Sequence, residues 1–309
     1  MNQKSSYSVD RGARNLLTFA FILFGISCIV FNTEVKRSVL YGIRLSAGSI
    51  IPSVFPFFVI SDYIYQSSIF EKKGFFSRIY EFIFGLPSCT LPAFLLGNIC
   101  GFPIGAKCIN DLYRDGMISG KDAQRLLIIS NNPSVAFTVS AIGAGVFRDL
   151  RYGILLYAAT LLSSFFLGLI TRRKATVSKE WDVITRQKFD FSTSVKGAGY
   201  NCITVSSFVI FFSALLGLIK KILDRKALTL AFSLILEVGN ACTAIAEYGL
   251  SNKLSLTLSA FALGFSGLSV FFQTLGFIPE EISKRRILLF KILQGLISSF
   301  LVFSIIYFI

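Results

Sequence analysis

The chain contains no histidine, and only 16% of its 309 residues are charged, against about 25% in an average soluble domain. Without histidine, the commonest general base of enzymes is absent, and Ser-His-Asp and Cys-His catalytic arrangements are excluded. The chain also lacks a Walker phosphate-binding sequence, which excludes a P-loop ATP-driven pump acting alone. We therefore predict that the protein is not an enzyme and that it needs no cofactor.

Cysteine is present, but not in the spacing of a metal site or a disulfide framework. No Cys-x-x-Cys pair occurs, and no histidine is available to complete a ligand set. Zinc and iron–sulfur sites need clustered ligands of these types, so we predict no metal site. Free thiols are expected in or beside apolar segments, at Cys28, Cys89, Cys100, Cys108, Cys202 and Cys242.

Apolar residues, by contrast, are abundant. They make up 53% of the chain, with 33 Phe among them, and the mean hydropathy is +0.67. Too few polar residues remain to cover a soluble core of this size, and those present are grouped between long apolar runs. The composition predicts an all-α integral membrane protein that crosses the lipid bilayer of the cell membrane several times.

The net charge of +14 comes from 31 Lys and Arg against 17 Asp and Glu. Clusters such as Arg172-Arg173-Lys174 and Lys284-Arg285-Arg286 stand directly beside apolar segments. This placement is typical of the positive-inside rule and of contact with anionic lipid headgroups. We therefore expect the bilayer to be the partner of these charges, and no nucleic acid.

The apolar runs predict about eight membrane-inserted segments. Residues 1–34 are expected to form an N-terminal transmembrane helix, and the basic stretch Thr171–Lys196 is placed as a cytoplasmic loop between two halves, 35–170 and 197–309. Interfacial helices are expected at Val35–Ile51 and Phe75–Phe84, with a half-helix starting at Pro52 and Pro56. The other inserted segments are Cys89–Leu112, Pro133–Phe147, Tyr152–Ile170, Gly199–Ile219, Ala227–Ala246, Leu254–Leu275 and Ile287–Ile309.

Short sequences recur in the two halves in the same order. Three pairs can be matched: Ser53–Phe58 with Ser206–Phe211, Gly97–Cys100 with Gly239–Cys242, and Asn132–Phe137 with Gly267–Phe272. Interrupted hydrophobic segments in corresponding places of two halves indicate the binding site of a transporter. We predict two related, inverted repeats that contain broken or re-entrant helices.

The first candidate site lies in LLGNICGFPIGAKCIND, Leu95–Asp111. Gly101, Pro103 and Gly105 do not suit an uninterrupted helix, because proline donates no backbone hydrogen bond and glycine tolerates an unwound turn. Irregular backbone inside a membrane is tolerated only where it is buried or lines a wet cavity. We predict a substrate-lining break with Asn98 and Lys107 as its polar groups. The alternative is tight helix packing through Gly101 and Gly105.

The second candidate site lies in IISNNPSVAF, Ile128–Phe137. Asn132 before Pro133 predicts an N-cap, and a helix that starts inside the membrane would present its N-terminus to an anion. The alternative is an ordinary loop-to-helix transition at the interface. Further hydroxyl and amide groups come from Ser130, Asn131 and Ser134.

In the second half, Glu237 lies within an apolar segment. An ionisable residue in such a place often marks an ion or substrate path, so Glu237 is the candidate for binding a coupling cation, H⁺ or Na⁺. Its alternative role is a structural ion pair with Lys107 or another basic residue. The second-half candidates for substrate contact are Asn240, Ser266 and Ser269.

Together these sequences resemble bacterial sporulation integral membrane proteins with duplicated nucleoside-recognition, or Gate, domains. The resemblance rests on PSVFPFFVISDYI, on GNICGFPIGAKCINDLYRDGMISGKDAQRLLIISNNPS and, more weakly, on LEVGNACTAIAE, and it covers most of the chain from Val35. The second half departs from it, with Thr243–Ala246 where Gly101–Ile104 would match. The signature falls on Pro52, Pro56, Gly101, Pro103, Gly105, Ala106, Lys107, Asn131, Asn132 and Pro133.

The resemblance implies a multi-pass protein of endospore formers that is linked to moving dipicolinate between mother cell and forespore. We expect transport of a small organic anion, dipicolinate first, by alternating access at a midplane broken-helix site in the membrane around the forespore. Lys107 and the helix start at Asn132 would attract the carboxylates. Because the Gate domain is shared with concentrative nucleoside transporters, one alternative is a nucleoside or nucleobase carrier. Another is a non-transporting structural or regulatory sporulation protein, and a homo-oligomer is a further expectation.

Overall fold

The computed structural model describes residues 11–67, 74–173, 189–223 and 225–308, and all of the regular secondary structure in these ranges is helical. π-Helical segments occur at Ser46–Ile50 and Ala136–Val146, and a 3-10 turn at Ser88–Thr90. The α-helices are α1 (Arg11–Val30), α2 (Asn32–Leu45), α3 (Ile51–Gln66), α4 (Phe75–Phe84), α5 (Leu91–Ile99), α6 (Ile104–Arg114), α7 (Gly120–Ser130), α8 (Leu150–Ile170), α9 (Phe191–Leu223), α10 (Lys226–Leu236), α11 (Val238–Glu247), α12 (Asn252–Phe265), α13 (Gly267–Leu275) and α14 (Lys284–Phe308).

Four segments of the described chain are long and apolar enough to cross a membrane: α8, α9, α12 together with α13, and α14. Two helix pairs bent by 100° add one span each if each pair crosses, namely Arg14–Val30 with Asn32–Gly48 and Phe75–Phe84 with Ser88–Ile99. Four to six apolar spans support the predicted all-helical, multi-pass membrane protein. The count of eight inserted segments and the inverted repeats stay predictions.

The proline-rich segment starts a helix as predicted, but the backbone before it is not broken. α2 passes through the π-helical turn Ser46–Ile50 into α3, which carries Pro56 within it. Proline removes one helical donor, and a widened turn accommodates this without ending the helix. α2 packs along α9, where a Cβ on Gly42 would lie 2.9 Å from the Cα of Ile210.

A buried arginine within α7 joins the ends of two other helices. Arg125 of α7 donates to the carbonyl oxygens of Phe84 and Gly85 at the end of α4, and to that of Thr171 at the end of α8, 2.9 Å away. Asp122 forms an ion pair with the same guanidinium at 3.1 Å. Because the last carbonyls of a helix have no internal partner and carry partial negative charge, the planar guanidinium is well suited to hold these ends together.

The loop predicted at Thr171–Lys196 lies largely outside the described residues, which omit 174–188. Its last part, Phe191–Lys196, is the first part of α9. Asp190 explains this earlier start, because its carboxylate accepts hydrogen bonds from the N–H groups of Ser192 and Thr193, at 3.2 and 3.1 Å. An aspartate before a helix satisfies donors that the first turn leaves free.

Interrupted helices occur in both halves of the fold. The segment predicted at Cys89–Leu112 is divided into α5 and α6, and the Ala227–Ala246 segment is divided into α10 and α11 at Glu237. Likewise, α12 and α13 meet at Ser266, which has φ 68°. Gly97–Cys100 lies at the end of α5, just before the break between α5 and α6, whereas Gly239–Cys242 lies in α11, just after the break at Glu237. The match therefore does not join equivalent positions of the two halves.

Candidate functional site

Two interrupted helices cross at the turn between α5 and α6. Gly101 has φ 80°, a conformation that favours glycine, and a Cβ there would lie 2.4 Å from the backbone nitrogen of Ser134. The following peptide bond, Phe102-Pro103, is cis. The break therefore occurs where the Gly/Pro sequence predicts it, and its backbone lies directly against the segment that follows α7.

Two of the backbone groups that this break releases find partners elsewhere in the protein. The N–H of Phe102 donates to the carbonyl of Asn132 at 2.8 Å, so it does not serve the carbonyl of Asn98, its partner in a regular helix. The hydroxyl of Tyr157 donates to that carbonyl instead, at 2.9 Å. Broken backbone at membrane depth requires such replacements.

The other glycines of the sequence serve close helix packing. A Cβ on Gly97 would lie 2.0 Å from the carbonyl oxygen of Ser130, and a Cβ on Gly105 would lie 2.6 Å from the same atom. α5 and α6 therefore both contact the end of α7 through backbone. The packing alternative describes Gly105 well, whereas Gly101 lies at the break itself. The Ser130 hydroxyl is buried and donates to Leu126 within α7 at 2.7 Å.

Asn132 lies at the centre of a buried cluster of polar side chains. Its amide nitrogen donates to Asn98 Oδ1 at 2.7 Å and to Ser164 Oγ at 3.1 Å. Its Oδ1 accepts a hydrogen bond from Gln294 Nε2 at 2.6 Å. The predicted role of Asn132 as an N-cap is wrong, because the helix restarts at Val135 and Ser134 Oγ accepts from the Phe137 N–H at 3.0 Å.

Lys291 of α14 brings a basic side chain into this cluster. The side chain is buried, with the residue 5% exposed, and its Nζ contacts Asn131 O, Gln294 Oε1 at 2.9 Å and Asn132 Oδ1 at 3.5 Å. Three acceptor oxygens around one nitrogen match an ammonium group, which has three donors and no acceptor. Lys291 belongs to none of the ion pairs formed by the described residues.

Asn131 links the cluster to the second half of the chain. Its Nδ2 donates to Thr274 Oγ1 of α13 at 2.9 Å. Its Oδ1 is buried and accepts no hydrogen bond from any described residue. A buried acceptor without a donor is costly, and functional sites are among the places where such groups are kept.

Lys107 lies in a different environment from the one expected. It forms ion pairs with Asp62 of α3 and, at 2.9 Å, with Asp111 one turn along α6. When all three groups are ionised, this cluster carries one excess negative charge, which opposes the expected attraction of substrate carboxylates. The alternative ion pair between Lys107 and Glu237 is wrong.

Glu237 caps the helix that follows it. Its carboxylate accepts hydrogen bonds from the N–H of Gly239 at 3.0 Å, from the N–H of Asn240 at 2.6 Å and from the Asn240 side chain at 2.8 Å. The partial positive charge of the α11 N-terminus stabilises a carboxylate in this position, so the buried charge has a structural explanation. Binding of a coupling cation stays a prediction.

The remaining second-half candidates bond locally. Ser266 donates to the carbonyl of Leu263 at 2.9 Å, and Ser269 accepts from Gln273 at 3.2 Å. The two second-half interruptions do meet, because a Cβ on Gly267 would lie 3.2 Å from the backbone nitrogen of Glu237. None of the hydrogen bonds among the described residues joins these serines to the Asn132 cluster.

Sequence reasoning missed Lys291 and Gln294. Both lie within the apolar run predicted at Ile287–Ile309, and an ionisable residue inside a membrane segment is a functional signal in itself. Their spacing of three residues places them on one face of a helix. This signal was available without the structure.

Lys107→Met should destabilise the protein rather than alter substrate affinity. Removing the cation leaves Asp62 and Asp111 facing each other without a partner. The side chains of Lys107 and Asp62 are each 16% exposed, so we expect a loss of about 2 kcal/mol, less than the 3–5 kcal/mol of a fully buried pair. Thermal unfolding of the purified protein measures this, with Asp62→Asn in the Lys107→Met background expected to recover part of the loss. An unchanged unfolding midpoint would contradict the structural role.

Comparison with known proteins finds a similar sporulation membrane protein. The chain is 25% identical to the sporulation integral membrane protein YlbJ of Bacillus subtilis over 327 aligned positions, which cover 91% of the chain and 80% of that protein. No protein-family model matches the chain, and no solved structure matches it. Together with the apolar helices, this similarity supports a multi-pass membrane protein that resembles the YlbJ-like family.

Proposed function

We propose that this protein moves a small organic anion across the membrane during endospore formation, with dipicolinate as the first candidate. The observation that carries the proposal is the buried side-chain nitrogen of Lys291, which lies among amide and carbonyl oxygens and belongs to none of the ion pairs of the described residues. A charge inside a membrane segment is costly and usually belongs to a substrate or ion path. The similarity to a sporulation membrane protein supports the biological setting.

The chemistry of the cluster suits a dicarboxylate. Asn98, Asn132 and Gln294 supply amide N–H donors beside the ammonium group of Lys291, and charge-assisted hydrogen bonds to carboxylates are stronger than neutral ones. In the described structure these groups bond to one another. A bound anion would therefore exchange internal hydrogen bonds for bonds to its own oxygens, so binding must be coupled to a local rearrangement.

The interrupted helices provide the means for such a rearrangement. Asn131 and Asn132 lie between α7 and the π-helical segment, and the turn at Gly101–Pro103 packs on the same stretch. In the proposed alternating-access cycle, the parts of the broken helices move against each other around the Asn132 cluster. Glu237 stays the proposed site of a coupling cation, H⁺ or Na⁺, and the transport cycle needs no covalent step.

Uptake by proteoliposomes tests this function. We expect saturable accumulation of radiolabelled dipicolinate that unlabelled dipicolinate competes away, and that protein-free liposomes lack. Imposed H⁺ and Na⁺ gradients would identify the coupling ion. Saturable uptake of labelled uridine without dipicolinate uptake would instead assign a nucleoside carrier. If a well-folded preparation transports neither compound, a structural or regulatory role replaces the transport proposal.

A further inference from the structure

Two adjoining cavities lie away from the Asn132 cluster, where α9 ends and α10 begins. One, of about 500 Å³, opens between α2, α9 and α11. The other, of about 380 Å³, lies beneath the α9–α10 turn and shares Lys220, Ala244 and Glu247 with the first. The two cavities therefore form a continuous concave surface centred on Lys220.

This surface is strongly basic. Among the described residues, Glu34 and Glu247 are the carboxylates that line it, and Glu34 pairs with Arg37 at 3.4 Å. The other basic residues belong to none of the ion pairs of the described residues. The balance is positive, and it favours an anion with several oxygen atoms. The five cations are Arg37, Lys220, Lys221, Arg225 and Lys226.

A buried hydroxyl group without a partner also belongs to the wall of the larger cavity. Ser213 of α9 is 4% exposed, and its Oγ has no hydrogen-bond partner among the described residues. Buried polar groups in proteins are normally hydrogen-bonded, so this hydroxyl is an observation independent of the cluster of charges. The hydroxyl lies within the wall and not at the accessible surface of the cavity, so the inference rests on the charges and on the apolar border.

The cavities lie at the end of a membrane span, and this position favours a lipid as the anion that they bind. α9 carries Lys196 near its start, is mainly apolar over residues 203–219, and becomes basic again at Lys220 and Lys221. Exposed apolar side chains stand directly beside these charges, with Ile222 56% exposed and Leu228 of α10 40% exposed. A basic pocket bordered by exposed apolar surface at the end of a membrane span matches both parts of an anionic lipid.

We propose that these joined cavities bind the headgroup phosphate of an anionic phospholipid. The phosphate lies between Lys220, Lys221 and Arg37, and the acyl chains run along the outer faces of α9 and α10. A water-soluble phosphate would use the same cations but would gain nothing from the apolar border. The site is distinct from the Asn132 cluster and is independent of any transported substrate.

Thermal unfolding of the purified full chain in a neutral detergent tests the site. We expect dioleoylphosphatidylglycerol to raise the unfolding midpoint in a saturable way, because a ligand that binds the folded state stabilises it. Dioleoylphosphatidylcholine should not do so at the same concentration. The double variant Lys220→Gln, Lys221→Gln should bind phosphatidylglycerol about tenfold more weakly. Both lysines are exposed, so the fold should persist without them.

A matched control removes two exposed charges at the end of another membrane span, Arg285→Gln with Arg286→Gln. These residues line neither cavity, so their removal should cost only general attraction of the headgroup, and lipid affinity should fall far less than in the Lys220→Gln, Lys221→Gln variant. An equal loss of affinity in the control would show a general surface effect and overturn the site. Inorganic phosphate or glycerol 3-phosphate that reproduces the full stabilisation would overturn the lipid as its occupant, as would an absence of any lipid effect.

Discussion

Gly101→Ala should leave little folded protein in the membrane. The residue has φ 80°, and the new Cβ would lie 2.4 Å from the backbone nitrogen of Ser134 and 2.9 Å from its Cα. A left-handed conformation costs an L-residue about 1–2 kcal/mol, and overpacking against atoms that cannot move costs about 1–3 kcal/mol more. The sum is a large share of the 5–15 kcal/mol that stabilises a typical domain. The yield of monodisperse protein after detergent extraction measures the effect.

Two other glycines serve as controls for this variant. Gly199 of α9 has no atom within 4 Å of a Cβ position, so Gly199→Ala should match or exceed the wild-type yield, given the higher helix propensity of alanine. Gly97→Ala separates the cost of overpacking from the cost of the left-handed conformation, since Gly97 is helical but a Cβ there would lie 2.0 Å from Ser130 O. A wild-type yield of Gly101→Ala would show that the two interrupted segments can separate without loss of the fold.

The sequence predicts the interruption at Gly101–Pro103 because its cause is local. Proline and glycine act on their own turn of backbone, so their positions are sufficient. The same reasoning expects a break at Pro52 and Pro56, yet the structure has a π-helical turn there, within one continuous helical path. Proline removes a hydrogen bond wherever it stands, but packing against α9 decides how the backbone adjusts.

Long-range contacts explain what the sequence does not predict at the candidate site. The sequence predicts Asn98, Asn131 and Asn132 as site residues because they lie beside glycine and proline residues that interrupt a helix. Gln294 reaches Asn132 over 162 residues, and this contact depends on how α14 packs against α7 and α8. The ion-pair partners of Lys107 cannot be predicted from the sequence either, because several carboxylates are available and the fold brings Asp62 and Asp111 to it.

Lys291→Met should reduce dipicolinate uptake at least about tenfold while leaving the protein folded. Methionine has a similar length and no charge, so the variant removes a buried basic group that no ion pair of the described residues includes, together with its desolvation cost. It also removes the donors to Asn131 O and Gln294 Oε1, which costs about 1 kcal/mol for each hydrogen bond. These contributions oppose each other, and we expect the unfolding midpoint to change little. Initial uptake rates at several dipicolinate concentrations measure kcat/KM.

The comparison with Lys253→Met separates the charge of Lys291 from lysine loss in general. Lys253 is exposed near the start of α12, so the same substitution there should leave both uptake and stability unchanged. Lys291→Arg keeps the cation but enlarges it in a closed cluster, and it should retain more uptake than Lys291→Met. If Lys291→Met transports dipicolinate with the wild-type kcat/KM, the anion does not meet this ammonium group. If folded protein and uptake are lost together in both Lys291 variants, Lys291 supports the junction of α14 with the broken segment, and the substrate path lies elsewhere.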